Sequence, residues 1–290
     1  RRFLDEDKPT SYMAIHAARS LLDKSGIDPL TIDLVIVATV TPDMVFPATA
    51  CIVQAAIGAE NAWAFDLSAA CSGFVYSLVT ASQFIHSGAH RRVMVIGADK
   101  MSSILDMTDR NTCVLFGDGA GGVILDRCEN SSIGLVDFLH RADGSDKSSL
   151  NVLGGGSLNP ASHESVDQGL HFVRQDGRSV FKFAVSKMAE VSVELLDRNG
   201  LTGRDLKLFI PHQANLRIID AAAERMKLPQ EKVLVNIDRF ANTTAATIPI
   251  ALSQAFDEKR FQHEDLLLMT GVGAGLTWGS ALFRWGENCG

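Results

Sequence analysis

Three side chains of this sequence suit covalent acyl transfer if the fold brings them together: a thiol, an imidazole and a carboxamide. Cys71 follows a strand-like segment and opens an Ala-rich helix, where the helix dipole is expected to favour the thiolate and lower the pKa of the thiol. His212 follows an apolar strand, and Asn242 is predicted to open a second helix. A thiolate attacks carbonyl carbons, while an imidazole and an amide donate hydrogen bonds to a developing oxyanion.

Each of these residues also has an ordinary structural interpretation when it is taken alone. Buried cysteines are common in Ala-rich cores, core histidines are often satisfied by their neighbours, and asparagine is a frequent N-cap. We interpret the three as one site because the patterns coincide. The structural interpretation is expected to hold for the other thiols, with three in the core and one near a frayed end: Cys51, Cys113, Cys128 and Cys289.

Composition excludes several classes of protein. The chain has 290 residues, of which 46% are apolar and 21% charged, with a net charge of −7, so a disordered or nucleic-acid-binding protein is not expected. Five irregularly spaced cysteines without a C-x-x-C pair predict free thiols in a reducing cytoplasm and no metal site. The longest uncharged run, Leu266–Phe283, is rich in glycine and predicts paired strands rather than a membrane helix. Histidines among polar neighbours, such as His140, are expected at the surface.

An internal repeat predicts the architecture. The segment Leu21–Ile27 reappears as Leu195–Leu201, and in each copy an apolar helical stripe precedes it and a strand follows it. Buried strands over residues 93–97 and 266–271 extend the match. Continuous apolar strands alternating with helices indicate parallel-rich sheets covered on both faces. We therefore predict a duplicated, five-layer α/β/α/β/α fold with pseudo-twofold symmetry, divided into residues 1–130 and 131–290, with a loop-rich seam between residues 125 and 172.

The same repeat suggests where a site lies. Ser82 and Ser253 each begin a matching Ser-Gln pair, and Cys71 and Asn242 stand eleven residues before them. Under a pseudo-twofold, both helix starts are expected to face one central place. A glycine cluster, Gly117–Gly122, matches the dinucleotide fingerprint, but a strand-like segment follows it where that fingerprint needs a helix. These glycines are instead expected to allow close packing beside the helix of Cys71. The strand that follows them argues against a dinucleotide-binding oxidoreductase.

Five segments, in order along the whole chain, together resemble 3-oxoacyl-[acyl-carrier-protein] synthase III, a condensing enzyme of the thiolase superfamily. They are residues 70–74 (ACSGF), 116–121 (FGDGAG), 211–217 (PHQANLR), 242–246 (NTTAA) and 271–279 (GVGAGLTWG). The resemblance implies the thiolase-like fold and two stages of chemistry. Cys71 takes an acyl group from acetyl-CoA or another short acyl-CoA. His212 and Asn242 then stabilise the enolate formed as malonyl-carrier protein loses CO2. No metal or redox cofactor is implied.

The resemblance also implies roles for residues around these three. The backbone N–H groups of Cys71 and Ala274 form the oxyanion hole. The acyl pocket takes Phe46, which reaches in from the partner of a homodimer, with Phe116 and Val272. Coenzyme A and its pantetheine arm contact Arg110, Phe181, Ala214 and Asn215. The acidic acyl carrier protein docks on Lys182, Arg217 and Arg225.

The sequence departs from the family pattern in places. The first strand and helix of the family have no counterpart here, so an unpaired sheet edge is expected. Arg178 replaces a commoner Asn at a coenzyme A contact, and Ala274 replaces a commoner Gly. Other interpretations remain open: a polyketide- or quinolone-type synthase with another acyl donor, or a non-catalytic acyl- or coenzyme A-binding scaffold.

Overall fold

The structure is a computed structural model that describes residues 1–287. The strands are β1 (Leu34–Ala38), β2 (Trp63–Leu67), β3 (Arg92–Asp99), β4 (Gly119–Asp126), β5 (Gly134–Ala142), β6 (Leu150–Val152), β7 (Val173–Gln175), β8 (Leu208–Pro211), β9 (Leu266–Gly273) and β10 (Thr277–Arg284). The α-helices are α1 (Thr10–Ser25), α2 (Thr49–Ala56), α3 (Gly73–His86), α4 (His163–Asp167), α5 (Gly177–Arg198), α6 (Leu216–Arg225), α7 (Ile237–Phe240) and α8 (Thr247–Asp257). Cys289 lies outside the described residues.

Two four-stranded sheets form the body, in the orders β2-β1-β3-β4 and β5-β10-β9-β8. In the first, β1 runs parallel to β2 and β3, and β4 is antiparallel to β3. In the second, β8 runs parallel to β9, and β10 is antiparallel to β9 and β5. The predicted division at residue 130 falls between β4 and β5. Within residues 1–287 the strand β4 pairs only with β3, so its outer edge is unpaired. In the second sheet β5 pairs with the outer edge of β10.

The helices complete five layers, as the repeat predicts. Apolar residues of α3 and α8 share one core with strands of both sheets, so these helices form the central layer. The opposite face of the first sheet packs against α1 and α2, and the opposite face of the second packs against α5 and α6. Strands covered on both faces need continuous apolar runs, which explains the sequences of β1, β3 and β9.

Most predicted elements are confirmed, and some differ. The two repeated helices are α1 and α5, and Gly26 ends α1 in the left-handed conformation at φ 67°. The uncharged run forms β9 and β10. The repeated strand of the second half begins at Leu208 rather than at residue 205. The seam predicted to be rich in loops contains the strand β5. This edge strand is only partly buried, and its charged residues interrupt the apolar pattern by which a strand is predicted.

The structure corrects the symmetry partner of Cys71. A 3₁₀ turn begins at Ala70 (φ 46°) and runs into α3, and a second begins at Thr244 (φ 53°) and runs into α8. Cys71 therefore matches Ala245, not Asn242. The Ser-Gln pairs misalign the turns because Ser82 lies nine residues into its helix from Gly73, whereas Ser253 lies six from Thr247.

Two glycines confirm this correspondence from the opposite direction. A Cβ added at Gly97 on β3 would collide with the carbonyl oxygen of Ala245, and one at Gly271 on β9 would lie 3.0 Å from the carbonyl oxygen of Cys71. Each central strand thus carries a glycine under the opposing turn.

The Gly117–Gly122 cluster lies at the start of β4, so the strand context that argues against a dinucleotide site is confirmed. A Cβ at Gly121 would lie 2.9 Å from the backbone nitrogen of Ile250. The glycines therefore allow α8 to pack closely. The expectation that they make room for α3, the helix that follows Cys71, is wrong. In residues 1–287 no helix is long and apolar enough to span a membrane.

Candidate active site

The turn that carries Cys71 rests on the end of β9. A Cβ at Gly273 would lie 2.7 Å from the backbone nitrogen of Cys71, so only glycine allows this approach. The hydroxyl of Ser72 donates to the carbonyl of Thr277 (3.0 Å), which fixes the turn against β10. Cys71 is 6% exposed. The thiol lies in the 3₁₀ turn that directly precedes α3, and not in the first turn of the α-helix.

This close approach leads to a prediction for Gly273→Ala. The added methyl group meets backbone that cannot rotate away, so we expect the free energy of unfolding to fall by about 2 kcal/mol, as in other overpacked cores. Urea denaturation measures this change. The matched control is Gly144→Ala, where an added Cβ meets nothing within 4 Å. Equal stability of the two variants would contradict the packing argument.

His212 follows β8 directly and is 1% exposed. Its backbone N–H donates to the carbonyl of Thr270 on β9 (2.8 Å). Its ring nitrogen Nδ1 lies 2.7 Å from the hydroxyl oxygen Oγ1 of Thr247, the first residue of α8. Within the described chain no protein group bonds to Nε2. One ring nitrogen is thus anchored and the other is left for a substrate.

Asn242 does not open a helix, contrary to expectation. It forms an isolated parallel bridge with Phe116, in which its N–H donates to the carbonyl of Leu115 (3.1 Å) and its carbonyl accepts from Gly117 (3.0 Å). Its Oδ1 accepts the N–H of Thr244 (2.9 Å), which orients the side chain. Across residues 1–287 the amide Nδ2 has no acceptor. Like His212, Asn242 presents one anchored atom and one nitrogen without a partner in the described residues.

The fold brings these three residues to one place. The Cys71 turn packs against both the end of β9 and the turn that follows Asn242. At this junction a Cβ on Gly73 would lie 3.5 Å from Cβ of Ala245. His212 is bonded to the neighbouring strand through Thr270. The carboxyl ends of parallel strands in the two sheets therefore meet here, which is where open α/β sheets bind ligands.

The electrostatics correct the expected state of the thiol. Burial raises the pKa of Cys71 to about 12, and the negative charge of Asp99 acts in the same direction. The N–H groups of the turn favour the thiolate, but removal from water outweighs them. In the unliganded protein Cys71 is therefore a neutral thiol at pH 7, not the thiolate that its sequence position suggests.

Asp99, at the end of β3, links the parts of this site and was not singled out from the sequence. Its Oδ1 accepts the N–H of Val40 (2.8 Å) and the hydroxyls of Thr39 (3.0 Å) and Thr41 (3.1 Å), and its Oδ2 accepts the N–H of Ala245 (3.1 Å). Burial nevertheless raises its pKa to about 6. An acidic residue directly after a buried strand is the signal that could have identified it.

Comparisons with known proteins agree with this geometry. Residues 65–144 match the model of 3-oxoacyl-[acyl-carrier-protein] synthase III, and residues 196–285 match the model of its C-terminal part. The beta-ketoacyl-[acyl-carrier-protein] synthase III of Chlorobium luteolum is 55% identical over 287 residues, which are 98% of this chain and 87% of that protein. The chain belongs to the 3-oxoacyl-[acyl-carrier-protein] synthase III family.

Solved structures of the family superimpose on this synthase closely. The enzyme from Aquifex aeolicus VF5 has a TM-score of 0.89 at 44% identity, with 98% of this chain and 87% of that chain covered. The enzyme from Thermus thermophilus has a TM-score of 0.90 at 42% identity, with 99% and 87% covered. The predicted thiolase-like fold and family are therefore confirmed. The protein is an acyltransferase, a condensing enzyme of the type that initiates fatty-acid synthesis.

The residues predicted to form the acyl pocket of the synthase lie in different environments. Phe116 is buried beside Asn242. Ala274, which was predicted for the oxyanion hole and not for the pocket, lies in the turn between β9 and β10. Phe46 is 82% exposed on a loop with Val45. Val272, expected to line the pocket, instead packs with the core under α5 and α6. Side chains alternate along β9, so Val272 faces away from Cys71, which the flanking glycines contact.

The residues predicted to bind coenzyme A and the carrier protein lie mainly around the start of two helices. Phe181 and Lys182 are exposed on the first turns of α5, and Arg217 is exposed on the first turn of α6. Asn215, predicted to contact the pantetheine arm, caps α6 by accepting the N–H of Arg217 (2.9 Å), and Ala214 packs beside the α5/α6 core.

Three further basic residues of the synthase occupy different surroundings. Arg110 is exposed in the turns after β3, and Arg178 is exposed next to the cap of α5. Arg225 lies at the end of α6 in an open groove with Glu190 and Glu194. Three acidic side chains and Arg198 share this groove with Arg225, so carboxylates surround Arg225 and partly cancel its charge.

The other thiols follow the sequence prediction only in part. Cys113 is buried and Cys128 is partly buried, but Cys51 is exposed on α2. Among residues 1–287 there is no group of three His, Cys, Asp or Glu side chains suited to hold a metal ion.

One partly buried group outside the site, His140, also corrects an expectation. The ring of His140 stacks on Tyr76, with centroids 4.2 Å apart, and its Nε2 has no hydrogen-bond partner in the described residues. Burial lowers its pKa to about 4. The folded protein keeps this imidazole neutral, whereas the unfolded chain protonates it below pH 6.5. The free energy of unfolding therefore falls as pH drops from 6.5 towards 4, by up to about 1.4 kcal/mol per pH unit.

We expect His140→Gln to reduce this sensitivity to acid. The loss of unfolding free energy between pH 7 and pH 5 should be about 2 kcal/mol smaller than in the parent, as measured by urea denaturation at both pH values. The raised pKa of Asp99 reduces the loss of unfolding free energy in acid, and the lowered pKa of His212 increases it. Both groups are present in every variant, so their effects cancel in the comparison. His86→Gln, an exposed histidine at the end of α3, is the control. An undiminished acid loss in His140→Gln would refute the assignment.

Proposed function

We propose that this synthase transfers the acyl group of acetyl-CoA, or of another short acyl-CoA, to Cys71. It then condenses that group with malonyl-[acyl-carrier protein] to give 3-oxoacyl-[acyl-carrier protein], CoA and CO2. The observation that carries the proposal is the convergence of a buried thiol with two side chains that each keep one nitrogen without a partner among residues 1–287, His212 at Nε2 and Asn242 at Nδ2.

In the first half-reaction the sulfur of Cys71 attacks the thioester carbonyl. The backbone N–H groups of Cys71 and Ala274 donate to the oxygen as it becomes negative. The carbon–sulfur bond to CoA then breaks, and the proton lost by the Cys71 thiol is balanced by the proton that the CoA sulfur gains. The turn between β9 and β10 supports this role, since Thr277 Oγ1 bonds to the carbonyl of Ala69 (3.2 Å) beside the nucleophile.

In the second half-reaction His212 and Asn242 donate to the thioester oxygen of the malonyl group. The bond to the carboxylate breaks, CO2 leaves, and its electron pair forms an enolate that the two donors stabilise. The enolate carbon attacks the acyl carbonyl on Cys71, and the released thiolate takes up a proton. Atoms and electrons balance with no oxidant, reductant or metal ion. Burial lowers the pKa of His212 to about 3, so the imidazole acts as a neutral donor.

Substrate contacts follow from the surface of the site. Phe181, Ala214 and Asn215 are proposed to line the pantetheine tunnel, and Arg110 to stack on the adenine. Phe116 bounds the acyl pocket, and the exposed Phe46 is proposed to complete it in the partner subunit of a homodimer. An aromatic side chain that is 82% exposed in one chain supports this second contact.

Lys182 and Arg217 are proposed to receive the acidic carrier protein. Both are exposed on the first turns of neighbouring helices, so their charges add at one surface. Arg225 was predicted to join them, but Glu190 and Glu194 beside it weaken its attraction for an acidic partner. Free thiols, as found for Cys51, Cys71, Cys113 and Cys128, support a cytoplasmic enzyme.

The test is reconstitution of the whole reaction. The protein is mixed with acetyl-CoA and malonyl-[acyl-carrier protein], and mass spectrometry of the carrier protein follows the conversion of malonyl to 3-oxobutanoyl. Product that requires acetyl-CoA supports the proposal. Absence of product with acetyl-CoA and with a series of other short acyl-CoAs would overturn it.

A further inference from the structure

Thr247 is the only hydrogen-bond partner of the His212 ring within residues 1–287. Its hydroxyl is buried at the start of α8 and lies 2.7 Å from Nδ1. The same oxygen lies 3.2 Å from the carbonyl oxygen of Thr244, one turn earlier in the chain. A single hydroxyl hydrogen can serve only one of these two acceptors well.

The choice made by this hydrogen decides what His212 can do. A neutral imidazole carries one hydrogen, on Nδ1 or on Nε2. If the hydroxyl of Thr247 donates to the carbonyl of Thr244, Nδ1 must carry the hydrogen, and Nε2 becomes an acceptor. If the hydroxyl donates to Nδ1, the hydrogen is on Nε2, which then faces the substrate as a donor.

Two features favour the second arrangement. The contact with Nδ1 is shorter than the contact with the carbonyl by half an ångström, from 3.2 to 2.7 Å. In addition, Nδ1 faces the N-terminus of α8, because Thr247 is the first residue of that helix, and the partial positive charge there favours a lone pair on Nδ1 over an N–H. The helix end therefore favours the neutral ring with its hydrogen on Nε2.

We propose that Thr247 is a positioning residue that holds His212 in the Nε2–H tautomer by donating from its hydroxyl to Nδ1. The inference rests on the proposed function for its catalytic meaning, because only this tautomer donates to the thioester oxygen during decarboxylation. Acylation of Cys71 uses backbone donors and does not need it.

The first test reads the tautomer without any substrate. In protein labelled with ¹⁵N-histidine, nitrogen–proton correlation spectra distinguish protonated from bare ring nitrogens, and His212→Gln identifies the resonances of His212. We expect a protonated Nε2 and a bare Nδ1 in the parent and in Thr247→Ser. A protonated Nδ1 in the parent would overturn the proposal, whatever the enzyme does.

The second test separates the half-reactions. Thr247→Val removes the hydroxyl but keeps the branched shape, so condensation should slow by about tenfold or more, as when a catalytic histidine loses the group that orients its tautomer. Acylation of Cys71 by acetyl-CoA should keep its rate, and Thr247→Ser should restore condensation. Equal condensation rates in Thr247→Val and the parent would overturn the proposal, as would equal loss in the Ser and Val variants.

The two tests keep separate failures apart. If the parent condenses no acyl-CoA at all, the proposed function fails, while the ¹⁵N spectra still decide the tautomer. If Thr247→Val does not fold, the spectra of the parent and of Thr247→Ser decide the question alone.

Discussion

Replacing Cys71 with alanine abolishes acyl transfer to the protein, with an expected loss of at least about 10³-fold, because no other thiol of residues 1–287 lies in this turn. After incubation with acetyl-CoA, intact-protein mass should show one added acetyl group in the parent and none in Cys71→Ala. Peptide mapping should locate the group on Cys71. The geometry gives the reason: only this thiol lies in the turn that β9 supports through Gly271 and Gly273.

The matched control for this experiment is Cys113→Ala. Cys113 is also buried and free, so its removal costs similar packing but should leave acylation at the parental level. Acetylation of Cys71→Ala at the exposed Cys51 alone, at the parental rate, would refute the assignment.

Because the pKa of Cys71 is raised to about 12, alkylation of Cys71 in the free enzyme by iodoacetamide should also accelerate about tenfold per pH unit between pH 7 and 9.

Replacing His212 with alanine separates the two half-reactions. We expect condensation to fall by about 10²- to 10³-fold, the usual effect of removing one oxyanion donor, while acylation of Cys71 continues. Rates of acetyl transfer from acetyl-CoA and of CO2 release from malonyl-[acyl-carrier protein] measure the two steps. Asn242→Ala should show the same pattern, because its Nδ2 is proposed as the second donor to the same oxygen.

His86→Ala is the control, since this histidine is exposed at the end of α3 and should leave both steps unchanged. A variant His212→Ala that loses acylation and condensation equally would assign the imidazole to the first step, as the base that accepts the Cys71 proton. Unfolding curves for each variant establish that the differences arise in the site and not in the stability of the fold.

Much of this molecule could be predicted from local patterns. Apolar periodicity predicts α1 and α5, and uninterrupted apolar runs predict β1, β3 and β9, because strands covered on both faces tolerate few polar residues. The repeat predicts five layers, since two similar units with two-sided sheets must share helices between them. The residue types and order of the motifs carry the family resemblance, and with it the expectation that Cys71, His212 and Asn242 act together.

Local patterns failed where a residue's role depends on what packs against it from a distant part of the chain. The position of Cys71 before a helix indicates a thiolate, but burial and Asp99 raise the pKa of the thiol. The Ser-Gln match pairs Cys71 with Asn242, but the packing of Gly271 and Gly97 shows that Ala245 is its counterpart.

The sequence by itself thus determined the layered fold, the family and the side chains available for chemistry, because these depend on composition and spacing along the chain. Only the tertiary structure decided how those side chains are charged and oriented. Asn242 offers Nδ2 because Thr244 holds Oδ1, and His212 offers Nε2 because Thr247 contacts Nδ1. Desolvation and hydrogen-bond direction are set by atoms far apart along the chain, as in the bond from Ala245 to Asp99 across 146 positions, and no local pattern records them.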